Sequence, residues 1–124
     1  MVYLTDSALD NGLNYLTVNG DRLDICSQEP ATYTEATSTY SLGNKAGATV
    51  GAPQDGDTSG RKVTIGAVTD GSITGDGDVT HWALAKTSAT AELLATHTLD
   101  VSQTVTTGNV FTTNAIDVTI PDAA

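Results

Sequence analysis

The residues best placed to do chemistry are the carboxylates of Asp76-Gly77-Asp78, with Asp70 a short way upstream. Ca²⁺ favours clustered carboxylate and carbonyl oxygens on a turn, and this segment supplies both. It departs from the EF-hand pattern, because Thr80 and His81 stand where an oxygen ligand and then a glycine belong, and no glutamate closes the loop. The same tripeptide reads equally as a hairpin turn, since Asp and Gly tolerate positive φ. The turn reading is preferred and calcium at Asp76–Asp78 stays open as its alternative. Asp55-Gly56-Asp57 has the same two readings with less support, so no essential metal is expected.

Cys26 is the single cysteine, which excludes an intrachain disulfide and a thiol-rich metal site. Its neighbours alternate as in a strand that leaves Cys26 half-buried or exposed, and a nucleophilic role would need a histidine close in space. His81 and His97 fall in separate strands without a third ligand pattern, which does not argue for zinc. Serines and aspartates are plentiful, but no G-x-S-x-G elbow supports a Ser/His/Asp triad. Gly75-Asp76-Gly77 places a carboxylate where a phosphate would be repelled. No catalytic, cofactor-binding or metal-ligating residue is assigned, and a non-enzymatic protein is expected.

The elements that carry these residues are announced by threonine, which fills 22 of the 124 positions. Its β-branched side chain suits a pleated strand, and its hydroxyl covers a wet sheet face without charge. The first twenty residues read as the one helix. Asp6 or Ser7 is the expected N-cap, Leu9, Leu13 and Leu16 recur at helical spacing, and Gly20 follows as the C′ residue. A short strand is expected at 22–27, then a loop over 28–44 with one helical turn near 35–40. Past Asn44 the period becomes two. Strands are expected at 45–50 (weak), 61–69, 72–74, 79–86, 92–99, 103–107 and 110–120, with turns at Asp70-Gly71, 75–78 and Gly108-Asn109, and a polar loop over 51–60. The expected fold is all-β: one domain spanning 1–124, with a helical segment at 1–20 and a sandwich or jelly-roll-like body at 45–120. Trp82 and Leu84 share one strand face, so Trp82 is the expected core anchor, with Leu84, Val63, Ile65 and Ile116 around it.

Fifteen carboxylates against five Lys/Arg give a net charge of −10. Nucleic-acid binding needs a basic stripe and is excluded as a class, and anionic membranes are disfavoured for the same reason. A basic partner surface, or simple solubility, fits better. No apolar stretch opens the chain or approaches the ~18 residues of a membrane span, so synthesis in the cytoplasm without a cleaved signal peptide is expected. Tyr3, Tyr15, Tyr33 and Tyr40 all lie in the first forty residues, which points to an N-terminal packing or self-association region, with a trimer favoured.

The run Leu23-Asp24-Ile25-Cys26-Ser27-Gln28-Glu29-Pro30, then Thr32-Tyr33-Thr34-Glu35-Ala36 and Tyr40-Ser41-Leu42-Gly43, resembles a family of small tailed-bacteriophage virion proteins. Gly60-Arg61-Lys62-Val63-Thr64 and Thr80-His81-Trp82-Ala83-Leu84 extend the likeness along the chain. The resemblance implies a structural component of the particle exterior. The role it favours is a capsid cement (decoration) protein that binds the major capsid protein on the outer surface of the lattice. The alternative is a tail or head-fibre component that binds the host surface. The family offers no catalytic residues to carry over.

Overall fold

A computed structural model describes residues 5–87 and 90–121. The first described element is helix α1, Asp6–Asn19. Its N-cap is Thr5, whose hydroxyl accepts the Ala8 N–H at 3.3 Å, one step earlier than the expected Asp6 or Ser7. Leu9 and Leu13 are its buried residues, so the expected stripe is the one that packs. Gly20 ends the helix in an extended conformation, not the left-handed one of a C′ glycine. Its need is space: a Cβ there would lie 2.9 Å from the Leu84 side chain and 2.8 Å from the Leu16 carbonyl. Tyr3 lies outside the described residues.

Among the described residues nine strands follow: β1 Arg22–Cys26, β2 Ser41–Ala46, β3 Gln54–Asp55, β4 Arg61–Ile65, β5 Val68–Ile73, β6 Gly77–Lys86, β7 Glu92–Val105, β8 Val110–Thr113 and β9 Ile116–Ile120. They form two antiparallel sheets, ordered β7-β6-β1-β2-β5-β8 and β3-β4-β9. The fold is therefore all-β and sandwich-like, with a short N-terminal helix. The β structure is not confined to 45–120, because β1 sits in the middle of the large sheet between β2 and β6. A five-residue π-helical turn, Glu35–Thr39, occupies the place of the expected helical turn.

Four local expectations give way to packing. The strand expected at 45–50 instead runs from Ser41, because Gly47 (φ 74°) turns the chain and leaves Val50 only an isolated bridge to Ile65. Asp70-Gly71 is not a turn but part of β5. Gly71 faces Phe111 across the strand pair, and a Cβ at Gly71 would collide with the Phe111 ring, so this glycine makes room for an aromatic. The strands expected at 92–99 and 103–107 are one strand, β7. The segment 110–120 breaks at Asn114-Ala115, where the chain leaves the large sheet as β8 and enters the small one as β9. That crossing makes the two layers.

Between the layers lie Leu13, Leu23, Ile25, Val50, Val63, Ile65, Val68, Ile73, Val79, Trp82, Leu84 and Phe111. Trp82 is buried at 7% exposure in the company expected of it, with Ile116 half-buried alongside. The opposite face of the large sheet is covered by the π-helical turn. There Cys26, Ala36 and Ala83 form a second small core, flanked by Tyr40 and Leu93. Beside it, Asp24 is fully buried. Its carboxylate accepts Arg22 Nε at 2.6 Å, Arg22 Nη2 at 3.0 Å and Ser41 Oγ at 2.7 Å, while Arg22 Nη2 also donates to the Thr37 carbonyl at 3.2 Å. The pair holds the π-helical turn against the sheet. Arg61 plays a comparable role for α1, with Nε and Nη2 on the two Asp10 oxygens at 2.7 and 3.1 Å.

Candidate interaction site

Of the residues singled out for chemistry, Cys26 and His81 meet as register partners of β1 and β6 but hydrogen-bond elsewhere, and the others are dispersed. Asp76 accepts the Thr107 backbone N–H at 2.7 Å, and that bond, with help from the Thr107 side chain, holds its carboxyl below the usual range. Asp78 accepts Thr104 Oγ1 across β6 and β7 at 2.7 Å, and Asp70 pairs with Lys45 at 2.9 Å. Gly77 has φ 151°. The segment thus builds the turn into β6, and its three carboxylates point at three different donors. Asp55 and Asp57 pair with Arg61 at 2.6 Å and Lys62 at 2.7 Å. Among the described residues no three His, Cys, Asp or Glu side chains converge as metal ligands would.

Cys26 is fully buried, not half-exposed as its strand alternation implied, because the π-helical turn lies over that face. Its thiol donates to the Ala36 carbonyl at 3.4 Å. Burial, then the nearby Asp24 charge, pushes the thiol up to about 12, which keeps it protonated at neutral pH. His81 sits half-buried between two threonine hydroxyls, Thr80 Oγ1 at 2.8 Å from Nδ1 and Thr98 Oγ1 at 3.2 Å from Nε2. His97 is registered opposite Trp82, and His81 opposite Thr98. Neighbouring strand positions alternate faces, so the two histidines lie on opposite faces of the sheet. The tyrosines also part: Tyr15 donates to Glu92 at 2.7 Å from α1, whereas Tyr33 and Tyr40 flank the π-helical turn on the other face.

What the fold does assemble is a cleft along β7. Among the described residues the strand pairs only with β6, leaving one edge free over its fourteen residues. Across from that edge stand β8, the Asn114-Ala115 crossing and β9, whose own outer edge is also unpaired. A register shift between Val79 and His81 breaks the alternation of β6, so Val79 and Trp82 both turn inward. They form the floor with Ile25, Ile73 and Phe111, and the cleft above them encloses about 740 Å³. A smaller hollow of about 300 Å³ continues from it between β7 and β9, over Trp82, His97 and Ile116. Both volumes lie in or near the range of ligand pockets. Val101 and Val110, at 69% and 67% exposure, stand on opposite walls.

The electrostatics of the cleft are one-sided. Its lining contains Asp100 and Asp117 and neither Lys nor Arg. Lys62 and the Thr64 hydroxyl hold the Asp117 carboxyl below the usual range, at 2.9 and 2.8 Å. Four of the chain's five basic side chains (Arg22, Lys45, Arg61 and Lys62) are tied to carboxylates of the same chain. The five bases offset five of the fifteen carboxylates, and the net −10 is what remains.

The sequence could flag Trp82 but not this cleft, because its floor gathers Ile25, Ile73, Val79 and Trp82 from segments far from the β7–β9 walls. Arg22 and Asp24 were also missed, although Arg-x-Asp on a strand puts both side chains on one face and could have revealed them. Comparison with protein-family models, curated proteins and solved structures finds no match for this chain. Among the described residues no helix is long and apolar enough to cross a membrane.

Proposed function

We propose that this chain is a bacteriophage virion structural protein without enzymatic activity, a capsid cement protein that binds the outer surface of the major capsid lattice. The observation that carries the reading is the cleft along β7: an apolar floor between unpaired strand edges is a surface for holding another macromolecule. The candidate nucleophile and acids support it from the other side. Cys26 is a protonated core thiol, and Asp70, Asp76 and Asp78 are spent on a lysine and on turn and cross-strand hydrogen bonds. The resemblance at 23–30 and 80–84 supplies the particle, and the −10 charge supplies the preference for a basic or mixed-charge lattice surface. Many copies on a lattice turn weak single contacts into firm attachment, and self-association as a trimer would add to it.

The test is to purify intact particles, identify the protein in them by mass spectrometry and locate it by cryo-electron microscopy. Density on the capsid exterior between major capsid subunits is the expected result. Density at a tail or head fibre would favour the host-binding alternative, and absence from particles would remove both. Attachment should also weaken as salt rises, because charge attraction is screened whereas apolar contact is not.

A further inference from the structure

We infer that the cleft beside β7 receives one extended segment of another polypeptide, added as a further strand against the free edge of β7. The inference rests on the reading that this protein docks on another protein, but not on the identity of the particle. Natural sheets blunt their edges with lysines, prolines or covering loops. Over Glu92–Val105, β7 has no Lys, Arg or Pro; it bulges against β6 at Leu94 and over 99–102, and its other edge, unpaired among the described residues, borders an open apolar cleft. The unpaired N–H and C=O groups of such an edge offer main-chain hydrogen bonds to any extended chain laid beside it.

The floor sets what that chain must carry. Ile25, Ile73, Val79, Trp82 and Phe111 call for apolar side chains at every second position, since alternate residues of a strand point to one face. The rim sets the rest. With Asp100 and the Lys62-paired Asp117 as its carboxylates, and neither Lys nor Arg in the lining, it favours Lys or Arg at the positions between and opposes Asp or Glu. A second copy of this chain is the poorer occupant, because it would bring another −10 and another Asp100 to the same rim. The occupant is thus a basic, alternating segment of a different protein.

The chain's single tryptophan forms part of the cleft floor and reports directly on occupancy. Three nine-residue peptides serve as probes: alternating Lys/Val, alternating Glu/Val, and a Lys/Val peptide of the same composition with its lysines and valines in separate blocks. Each is titrated while Trp82 emission is followed, and amide hydrogen exchange then maps protection. The alternating Lys/Val peptide should bind at least about tenfold more tightly than either control, as charge and register both demand. Its protection should fall within β7. Asp100→Lys and Val101→Lys alter exposed residues, so the fold should persist by circular dichroism. Each should weaken the Lys/Val peptide about fivefold or more and narrow its margin over Glu/Val. No binding, equal binding of the block peptide, indifference to both variants, or protection outside β7 would overturn the inference. So would β7 protection that grows with protein concentration without any peptide, since the occupant would then be a second copy. Peptide binding by a protein absent from particles would defeat the capsid reading alone, and presence on particles without peptide binding would defeat this one alone.

Discussion

Replacing Asp24 by Asn tests the account of how the large sheet is covered. The carboxylate is fully buried and accepts three hydrogen bonds, two of them from the Arg22 guanidinium. Removing one partner of a buried ion pair costs about 3–5 kcal/mol, because the other charge is left without its counterpart. The Arg22 side chain keeps 24% exposure and can recover some hydration, which sets the expectation at the lower end, about 3 kcal/mol. Unfolding entropy near 2.1 cal/mol/K per residue then gives a fall in Tm of about 10–12 °C for this chain length. Differential scanning calorimetry and urea denaturation of wild type, Asp24→Asn, Arg22→Met and the double variant would measure it. The double variant should be more stable than the sum of the single losses implies, since removing both charges leaves neither stranded. A loss below about 1 kcal/mol for Asp24→Asn, or strict additivity of the two changes, would refute the reasoning.

Native Cys26 should resist iodoacetamide at pH 8 and react only on unfolding: its thiol stands at about 12 against an ordinary 9.0, which cuts the thiolate fraction about a thousandfold. A raised acid stabilises the fold fully below its unfolded value, so stability should also decline as pH rises from 9 toward 12, as pH-dependent urea titration would register. At the acid end, Asp76 and Asp117 are depressed, so their contribution is present above the ordinary carboxylate value of 3.8 and is lost as pH falls below it; Asp117→Asn should flatten that acid limb. Gly71→Ala should cost about 1–3 kcal/mol by pressing a methyl into Phe111, and Phe111→Leu should relieve part of it. Trp82→Ala should cost about 3–5 kcal/mol, as large core truncations do, and native Trp emission should be that of a buried indole.

Patterns confined to one element were legible in the sequence. The α1 leucines, the inward face of Trp82 and Leu84 and the turn at Gly108-Asn109 all follow from local spacing or turn chemistry. Features decided by a distant neighbour were not. Gly71 carries the local signature of a turn and serves as the slot for Phe111, forty positions later. Cys26 reads as a strand residue of ordinary exposure until the π-helical turn is laid over it. The break at Asn114-Ala115 has no strong turn signal, so the passage between sheets was invisible, and with it the cleft. The cleft is a product of topology, bounded by β7, β8 and β9, and a periodicity argument sees only one strand at a time.

The crossing from β8 to β9 also sets an order of events. Val110–Thr113 closes on β5 and Ile116–Ile120 closes on β4, so both sheets wait for 110–120 before their described strands are all in place. Ile65, bridged to Val50, finds its partner in the small sheet only at Ile116, and Arg22 finds one of its own only at Ala85. Such long loops close slowly, on the millisecond-to-second scale of all-β domains, and no early fragment of the chain can bury its apolar face alone. A nascent chain short of β9 would leave β4, with Val63 and Ile65, lacking its β9 partner, an unpaired strand edge of the kind that makes folding intermediates prone to aggregate.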